Sequence, residues 1–154
     1  ALKNEVRLQK NISPSDLINI FRKTKGEEIS NLKDKNYKTL LNLINICLKR
    51  GCAEAWGAFT NDNKLCAGVV LFIKNNRAIF VFSATTSEAK ENGAMFLLID
   101  NFIRTNAGNN IIFDFEGSNL PGVARLYKGF GSKENVYLQI RKNNLPKLVR
   151  WLKR

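Results

Sequence analysis

Residues 53–85 read AEAWGAFTNDNKLCAGVVLFIKNNRAIFVFSAT, in which three apolar runs are separated by two Asn-rich breaks. The breaks at 61–64 and 74–77 have the composition of tight turns between neighbouring antiparallel strands. This stretch therefore predicts a three-stranded antiparallel meander. Its second and third runs are apolar at nearly every position, which is typical of strands covered on both faces. We expect helices to pack on each side of the resulting sheet.

Patterns of helical period lie on both sides of the meander. Ser13 and the proline after it have the sequence of a helix start, and the apolar spacing of a second helix ends at Gly51. A third helix is predicted from Ser87 to about residue 106. Shorter elements are predicted as strands at 6–9, 111–115 and 136–140 and as helices at 121–130 and 145–154. The predicted fold class is α+β, with a central mixed, mostly antiparallel sheet of about six strands flanked by helices.

The composition excludes several classes of protein and of chemistry. The chain has 154 residues and a net charge of +12, and 44% of its residues are apolar. That apolar content excludes a disordered basic tail, and the length fits one domain. No apolar stretch approaches the roughly 20 residues that a membrane-spanning helix needs. The absence of His excludes triads with an imidazole base and His-ligated zinc, and we expect no metal.

The three cysteines, Cys47, Cys52 and Cys66, lack the C-x-x-C spacing of metal and redox sites. Their odd number argues against a disulfide framework in a chain of this length. Cys47 lies on the apolar side of a helical pattern and Cys66 lies within an apolar strand pattern, so both are expected to be buried, reduced thiols. Reduced thiols indicate a cytoplasmic protein.

The stretch from the third meander strand into the third helix has the composition of an anion-binding unit. A helix N-terminus offers backbone N–H groups and the positive end of the helix dipole, which suit a pyrophosphate. Gly93 would allow a ligand to approach the backbone closely, and Lys90 would add charge. The simpler alternatives are that Gly93 marks close packing of helix on sheet and that Lys90 is only solvated. The polarity of Ser83 and Thr85 is ordinary for a strand.

Two carboxylates follow the next predicted strand. In the sequence FDFEGS at 113–118, period-two alternation places Asp114 and Glu116 on one face and the two phenylalanines on the other. Either carboxylate could accept or orient a proton. The alternative for Glu116 is that it caps the N-terminus of the helix that follows.

The order of elements, the loop KENGAM at 90–95 and the turn DFEGS at 114–118 together resemble the GNAT superfamily of acyl-CoA transferases. The resemblance covers nearly the whole chain, to about Ile140. The DFEGS turn followed by ARLYKGFG at 124–131 is similar to the branch that includes the Fem-type peptidoglycan aminoacyltransferases. Of the Gln/Arg-x-x-Gly-x-Gly/Ala loop that is usual in the superfamily, only Gly93 remains.

The resemblance implies an acyl-CoA donor held by the strand and the helix start around the KENGAM loop. The implied donor-binding residues are Phe82, Ser83, Ala84, Thr85, Lys90, Asn92, Gly93 and Ala94. Tyr127 matches a tyrosine that acts as general acid toward the leaving thiolate, and Glu116 or Asp114 would be the base. The alternative for Tyr127 is a core tyrosine with its hydroxyl at the rim, because it lies on an apolar helical stripe.

The predicted function is that of an N-acyltransferase, most simply an acetyltransferase, in which a small-molecule or peptidyl amine attacks acyl-CoA directly. Two alternatives stay open: Fem-type transfer from an aminoacyl-tRNA, and a catalytically idle GNAT-like binding module. Both ends of the chain are basic and its middle is neutral, a distribution that would attract a polyanion such as tRNA. Residues 1–154 are expected to form one GNAT-like domain. Since Fem-type proteins commonly carry two such domains in tandem, it would be the C-terminal half of a longer protein.

Overall fold

A computed structural model describes residues 6–138, 140 and 142 of the chain. Five helices, five strands and one 3₁₀ turn make up this described part. In chain order they are β1 (Arg7–Lys10), α1 (Pro14–Arg22), the 3₁₀ turn (Lys25–Glu28), α2 (Asp34–Lys49), β2 (Ala53–Phe59), β3 (Leu65–Lys74), β4 (Arg77–Thr85), α3 (Ser87–Asn92), α4 (Ala94–Thr105), β5 (Ile112–Asp114) and α5 (Pro121–Gly129). Across these described ranges, no helix combines the length and the apolar character that crossing a membrane requires.

The five strands form one sheet in the order β1-β2-β3-β4-β5. Neighbours are antiparallel except for β4 and β5, which are parallel. The predicted meander is therefore confirmed as β2-β3-β4. Its Asn-rich breaks are tight turns because asparagine tolerates the left-handed conformation: Asn63, Asn75 and Asn76 have φ values of 58°, 50° and 58°.

Helices cover both faces of the sheet, as the apolar strands predict. On one face α1 and α2 bury Leu17 and Ile44 completely. On the other face α4 packs its Leu98 and Phe102 against the sheet, and the Phe102 ring meets the Trp56 ring edge-on at 6.1 Å. The two separate core clusters confirm the α+β class that the sequence predicts.

Gly68 in β3 lets α1 pack closely on the sheet. Gly57 and Gly68 face each other across β2 and β3. A Cβ atom at Gly68 would lie 2.7 Å from the Cδ1 atom of Leu17 and 2.9 Å from that of Ile12. Neither distance is possible for a real side chain, so the close packing of α1 on β3 depends on glycine at this position.

The parallel pairing of β4 with β5 is short. Only residues 77–79 of β4 pair with residues 112–114, whereas β4 itself continues to Thr85. Part of the reason is a bulge in which Val81 is the extra residue, because Leu71 faces Phe80 and Val70 faces Phe82. A bulge bends and twists its strand. The two parallel strands are therefore no longer paired at the carboxyl end of β4.

The structure differs from two predictions about elements. The third helix is not continuous: Gly93, with a φ of 71°, ends α3 and begins α4. The strand predicted at 136–140 is wrong for the positions that are described there, since Val136, Tyr137, Leu138 and Ile140 lie outside any strand and are 77–92% exposed. A short apolar run forms a strand only where it finds a partner, and β5 offers an edge of only three residues. The helix predicted at 145–154 lies outside the described residues.

Candidate functional site

The candidate donor-binding residues lie at the carboxyl end of β4, beyond its pairing with β5. Because of the Val81 bulge, Phe82 and Ala84 point to the α1–α2 side, where the Phe82 ring packs 5.1 Å from that of Phe21. Ser83 faces Val69 across the strands, and Thr85 faces Ala67, on the opposite side of the sheet. Phe82 and Ala84 can therefore meet a ligand at β4 only through their backbone.

The loop after β4 is fixed to the sheet before the helices begin. The backbone N–H of Thr86 donates to the carbonyl oxygen of Cys66 at 2.8 Å. The Thr86 hydroxyl oxygen in turn accepts from the backbone N–H of Ala89 at 3.2 Å and caps α3. This cap, which the sequence reasoning did not single out, is a threonine directly before a helix start.

Gly93 places the start of α4 close to the end of β4. Its backbone N–H donates to the carbonyl of Ala89, and its carbonyl accepts from the N–H of Leu97 at 3.1 Å. A left-handed residue between two helices is easy for glycine and strained for others. The 12-residue helix α4 therefore begins at Ala94 with the positive end of its dipole facing this loop. The side chain of Ala94 is itself fully buried, so Ala94 also offers backbone only.

Lys90 lies exposed on α3. The hydrogen bond and the charge of Lys25 lower the pKa of Glu28, and the charge of Lys90 lowers it further. The charge of Lys90 therefore acts on a carboxylate of the 3₁₀ turn. Asn92 is the last residue of α3.

Asp114 is engaged in two structural contacts. One of its carboxylate oxygens accepts from Arg77, and the other accepts from the backbone N–H of Glu116 at 2.9 Å. Arg77 is the first residue of β4, so this ion pair joins the start of β4 to the end of β5. Sequence reasoning missed Arg77, since a contact across 37 positions leaves no local signal.

The expectation that Asp114 and Glu116 share one face of a strand is wrong. β5 ends at Asp114, and Glu116 has a φ of 59°, which is the left-handed region and not extended backbone. Glu116 is exposed, and α5 begins only at Pro121, with no side chain capping its N-terminus. The capping alternative for Glu116 is therefore wrong as well. Ser118 instead tightens the turn by accepting from the backbone N–H of Leu120 at 3.1 Å.

Tyr127 packs against one ring from β4 and one from the segment after β5, just beyond the last paired residues of these strands. We call this place the wedge. The Tyr127 ring stacks on Phe115 with the centroids 4.3 Å apart, and it meets the ring of Phe80 edge-on at 6.3 Å. Phe115 is only 8% exposed. Burial raises the pKa of the Tyr127 phenol above 10.0, so this group carries its proton at neutral pH. A protonated phenol at the rim of an apolar wedge fits both the general acid and the core tyrosine.

Further rings connect Tyr127 to the start of α4. Phe130 lies 6.2 Å from Phe115 and 5.9 Å from Phe96, which is in the first turn of α4 and is 55% exposed. We call these rings, from Phe96 through Phe130 and Phe115 to Tyr127, the aromatic row. The exposure of Phe96 is a feature that the sequence analysis did not predict.

The structure thus brings most of the candidate residues to one region. The end of β4, the loop up to Gly93 and the start of α4 are adjacent in the chain, and the aromatic row links them to Tyr127. Asp114 lies at the other end of the wedge, where β4 and β5 are still paired. Glu116 follows directly after Phe115 and is the exposed carboxylate next to the aromatic row.

Comparison with solved structures supports the same architecture. The chain is similar to a predicted acetyltransferase from Clostridium acetobutylicum solved with acetyl-CoA, with a TM-score of 0.67, 20% identity and coverage of 88% of this chain and 96% of that one. It is also similar to an aminoglycoside acetyltransferase from an uncultured soil metagenomic sample, solved in complex with trehalose, with a TM-score of 0.66, 14% identity and coverage of 94% and 100%. The corresponding values for an aminoglycoside 6′-N-acetyltransferase from Acinetobacter baumannii are 0.64, 11%, 92% and 99%.

No protein-family model matches the sequence, and no curated protein is similar enough to match it. The likeness to solved structures is therefore one of fold. This likeness confirms the GNAT-like fold, and it extends over nearly the full length of the compared chains.

Proposed function

We propose that this chain is an N-acyltransferase, most simply an acetyltransferase, that passes an acyl group from acyl-CoA to an amine. The observation that carries the proposal is that β4 and β5 pair at only three positions, and that ring contacts connect Phe96 in the first turn of α4 to Phe115 just after β5. A donor with a long arm and a pyrophosphate matches such an arrangement, because the arm can pair with free strand backbone and the pyrophosphate with helix N–H groups. The acetyltransferases of the same fold support this assignment.

The donor would be held mainly by backbone. In this proposal the arm runs along Phe82, Ser83, Ala84 and Thr85, and the pyrophosphate lies over Gly93 and Ala94, with Lys90 and Asn92 at the edge of the loop. Side chains that point into the core at Phe82 and Ala84 do not conflict with this role, since the strand would offer N–H and C=O groups. The same N–H groups would polarise the thioester carbonyl.

The chemistry would be direct transfer without an acyl-enzyme. The amine nitrogen attacks the thioester carbon, the C–N bond forms, and the C–S bond breaks as the tetrahedral intermediate collapses. Tyr127 would give its proton to the departing thiolate, and the amine would lose its proton to Glu116 directly or through water. Asp114 is less suited to be this base, because both of its oxygens are engaged within the fold. Holding donor and acceptor together would supply much of the rate.

A titration with acetyl-CoA tests the donor site, and two glycines provide a matched pair of variants. Gly93 directly precedes α4 and Gly108 lies three residues after its last residue, and both glycines have positive φ values, 71° and 84°. Gly93→Trp and Gly108→Trp therefore both impose backbone strain, of about 1–2 kcal/mol. Only the Gly93 variant adds bulk at the start of α4.

We expect isothermal titration to show micromolar binding of acetyl-CoA to the unmodified chain and to Gly108→Trp, and loss of binding in Gly93→Trp. Circular dichroism would confirm that both variants are folded at the temperature used. Equal loss of binding in the two folded variants would contradict a pyrophosphate site at Gly93. No heat with the unmodified, folded chain would contradict the acyl-CoA proposal itself.

The net charge of +12 favours one alternative donor, an aminoacyl-tRNA used in the Fem-type manner. The basic C-terminal segment of this chain, residues 145–154, lies outside the described residues. Binding of charged tRNA with a steep salt dependence, in the absence of acetyl-CoA binding, would favour this alternative, and binding of neither donor would favour an idle module. We also propose a second GNAT-like domain beside this one, which the Fem-like sequence motifs alone support. The proposed cytoplasmic location is supported by the reduced thiols alone.

A further inference from the structure

Two of the three cysteines lie together at the junction of α2 and β2. None of the three is in a disulfide. Cys66 is buried in β3, where its thiol donates to the carbonyl of Ala58 at 3.3 Å. Cys47 is in the last turn of α2, Cys52 directly precedes β2, and both are partly exposed. The sequence spacing, with four residues between them, gave no reason to pair them.

The end of α2 explains why they meet. The N–H of Cys52 donates to the carbonyl of Cys47 at 3.0 Å, and the N–H of Gly51 donates to the carbonyl of Leu48 at 3.0 Å. With Gly51 at a φ of 65°, these two bonds form a Schellman motif. This motif folds the chain back so that the residue after the glycine contacts the third residue from the helix end. In this chain both of those positions are cysteine.

The side chain of Cys52 contacts the residue Cys47 directly. The Cys52 thiol donates to the carbonyl oxygen of Cys47, with 3.4 Å between the sulfur and the oxygen. Burial raises the pKa of the Cys47 thiol, the Cys52 thiol raises it further, and Arg50 opposes both effects. Cys47 is therefore mostly a neutral thiol at neutral pH, and its exchange reactions become faster in mildly alkaline solution.

We propose that Cys47 and Cys52 form a redox-active dithiol, which small disulfides such as oxidised glutathione convert to an intramolecular disulfide. One cysteine thiolate attacks a sulfur of oxidised glutathione, the glutathione S–S bond breaks, and one glutathione leaves as thiolate. The second cysteine thiolate attacks the mixed disulfide and displaces the other glutathione. The protein gives up two electrons and two protons, and both glutathione molecules leave as reduced thiols.

The disulfide would bind the end of α2 to the start of β2, away from the candidate donor site. Ala53 faces Phe72 on β3, whereas Thr85 faces Ala67, so the two sites are separated by five residues of β3, or about 17 Å along the strand. We therefore expect oxidation to raise the Tm of the chain, because it restrains the unfolded state, and to leave the affinity for acetyl-CoA within twofold.

The test uses the native chain, oxidised glutathione at mildly alkaline pH, and the single variants Cys47→Ser, Cys52→Ser and Cys66→Ser. Intact mass and the number of thiols reactive in denaturant are measured after quenching. The unmodified chain and Cys66→Ser should lose two hydrogen atoms and two thiols without retaining glutathione, and dithiothreitol should restore them. Cys47→Ser and Cys52→Ser should instead retain one glutathione on the remaining cysteine of the pair.

Three results would overturn the proposal: an unmodified chain that keeps all three thiols, one that keeps glutathione as a stable adduct, or a disulfide that includes Cys66. Peptide mapping without reduction distinguishes these products. Circular dichroism before quenching establishes that the chain was native, since an unfolded chain would also expose Cys66.

Discussion

At the scale of single residues, Tyr127 is a phenol that carries its proton at neutral pH and packs against two aromatic rings. Its ring is half-buried against Phe115 and Phe80, and this burial raises the pKa of the phenol. The apolar stripe of α5 indicated that Tyr127 would be partly buried. The wedge into which it points depends on the parting of two strands, which no local pattern around Tyr127 indicates.

Tyr127→Phe separates the catalytic interpretation from the structural one. The substitution keeps the stacked ring and removes only the hydroxyl. If Tyr127 protonates the leaving thiolate, kcat should fall by about 10²-fold or more while the KM for acetyl-CoA stays within a fewfold. Release of free CoA thiol measures the rate. An unchanged kcat in this variant would assign Tyr127 to the core alone.

The raised pKa of Tyr127 also predicts how stability depends on pH. Because the folded chain holds this proton more tightly than the unfolded chain, stabilisation is complete below about pH 10 and is lost as the pH rises through the folded pKa. Urea unfolding across this alkaline range should show a smaller loss of stability for Tyr127→Phe than for the unmodified chain. Parallel losses in the two proteins would contradict a buried, protonated Tyr127.

At the scale of elements, the meander was predictable because its turns and runs are coded locally. Asn75 and Asn76 adopt the left-handed conformations that a two-residue hairpin turn requires. The break between α3 and α4 was not predictable to the same degree, since a glycine inside a helical pattern can be tolerated or can end the helix. The backbone of Gly93 is in the left-handed conformation, and the apolar periodicity around it does not predict this.

The packing of α1 on the sheet predicts the cost of adding one methyl group at Gly68. The Cβ atom of Gly68→Ala would lie 2.7 Å from Leu17 Cδ1 and 3.1 Å from the backbone oxygen of Trp56. The backbone oxygen cannot move freely, so we expect a loss of about 1–3 kcal/mol in the free energy of unfolding. Chemical denaturation measures it.

Gly122→Ala is the matched control, because Gly122 is in α5 and a Cβ atom there meets nothing within 4 Å. Replacing a helical glycine in open space should stabilise the chain by up to about 1 kcal/mol. Equal and small effects at Gly68 and Gly122 would contradict the close approach of α1 to β3.

At the scale of the whole molecule, element order and two covered sheet faces were predictable from periodicity, whereas the site was predictable only in part. The residues from 82 to 94 are continuous in sequence, so their proximity follows from the chain. Two other features depend on tertiary packing between distant segments. One is the contact between Arg77 and Asp114, and the other is the aromatic row. Glu116 was placed wrongly because strand alternation was extended past the point where the backbone turns.

If acyl-CoA binds where the pairing of β4 with β5 ends and α4 begins, the residues at that place should respond when the donor is added. The most direct measurement is the change in backbone amide NMR signals of the labelled chain when acetyl-CoA is added. We expect the largest changes at residues 82–86 and at 93–96, and little change at 47–52, where α2 ends. A folded spectrum without changes, or changes confined to α1 and α2, would contradict donor binding at this place.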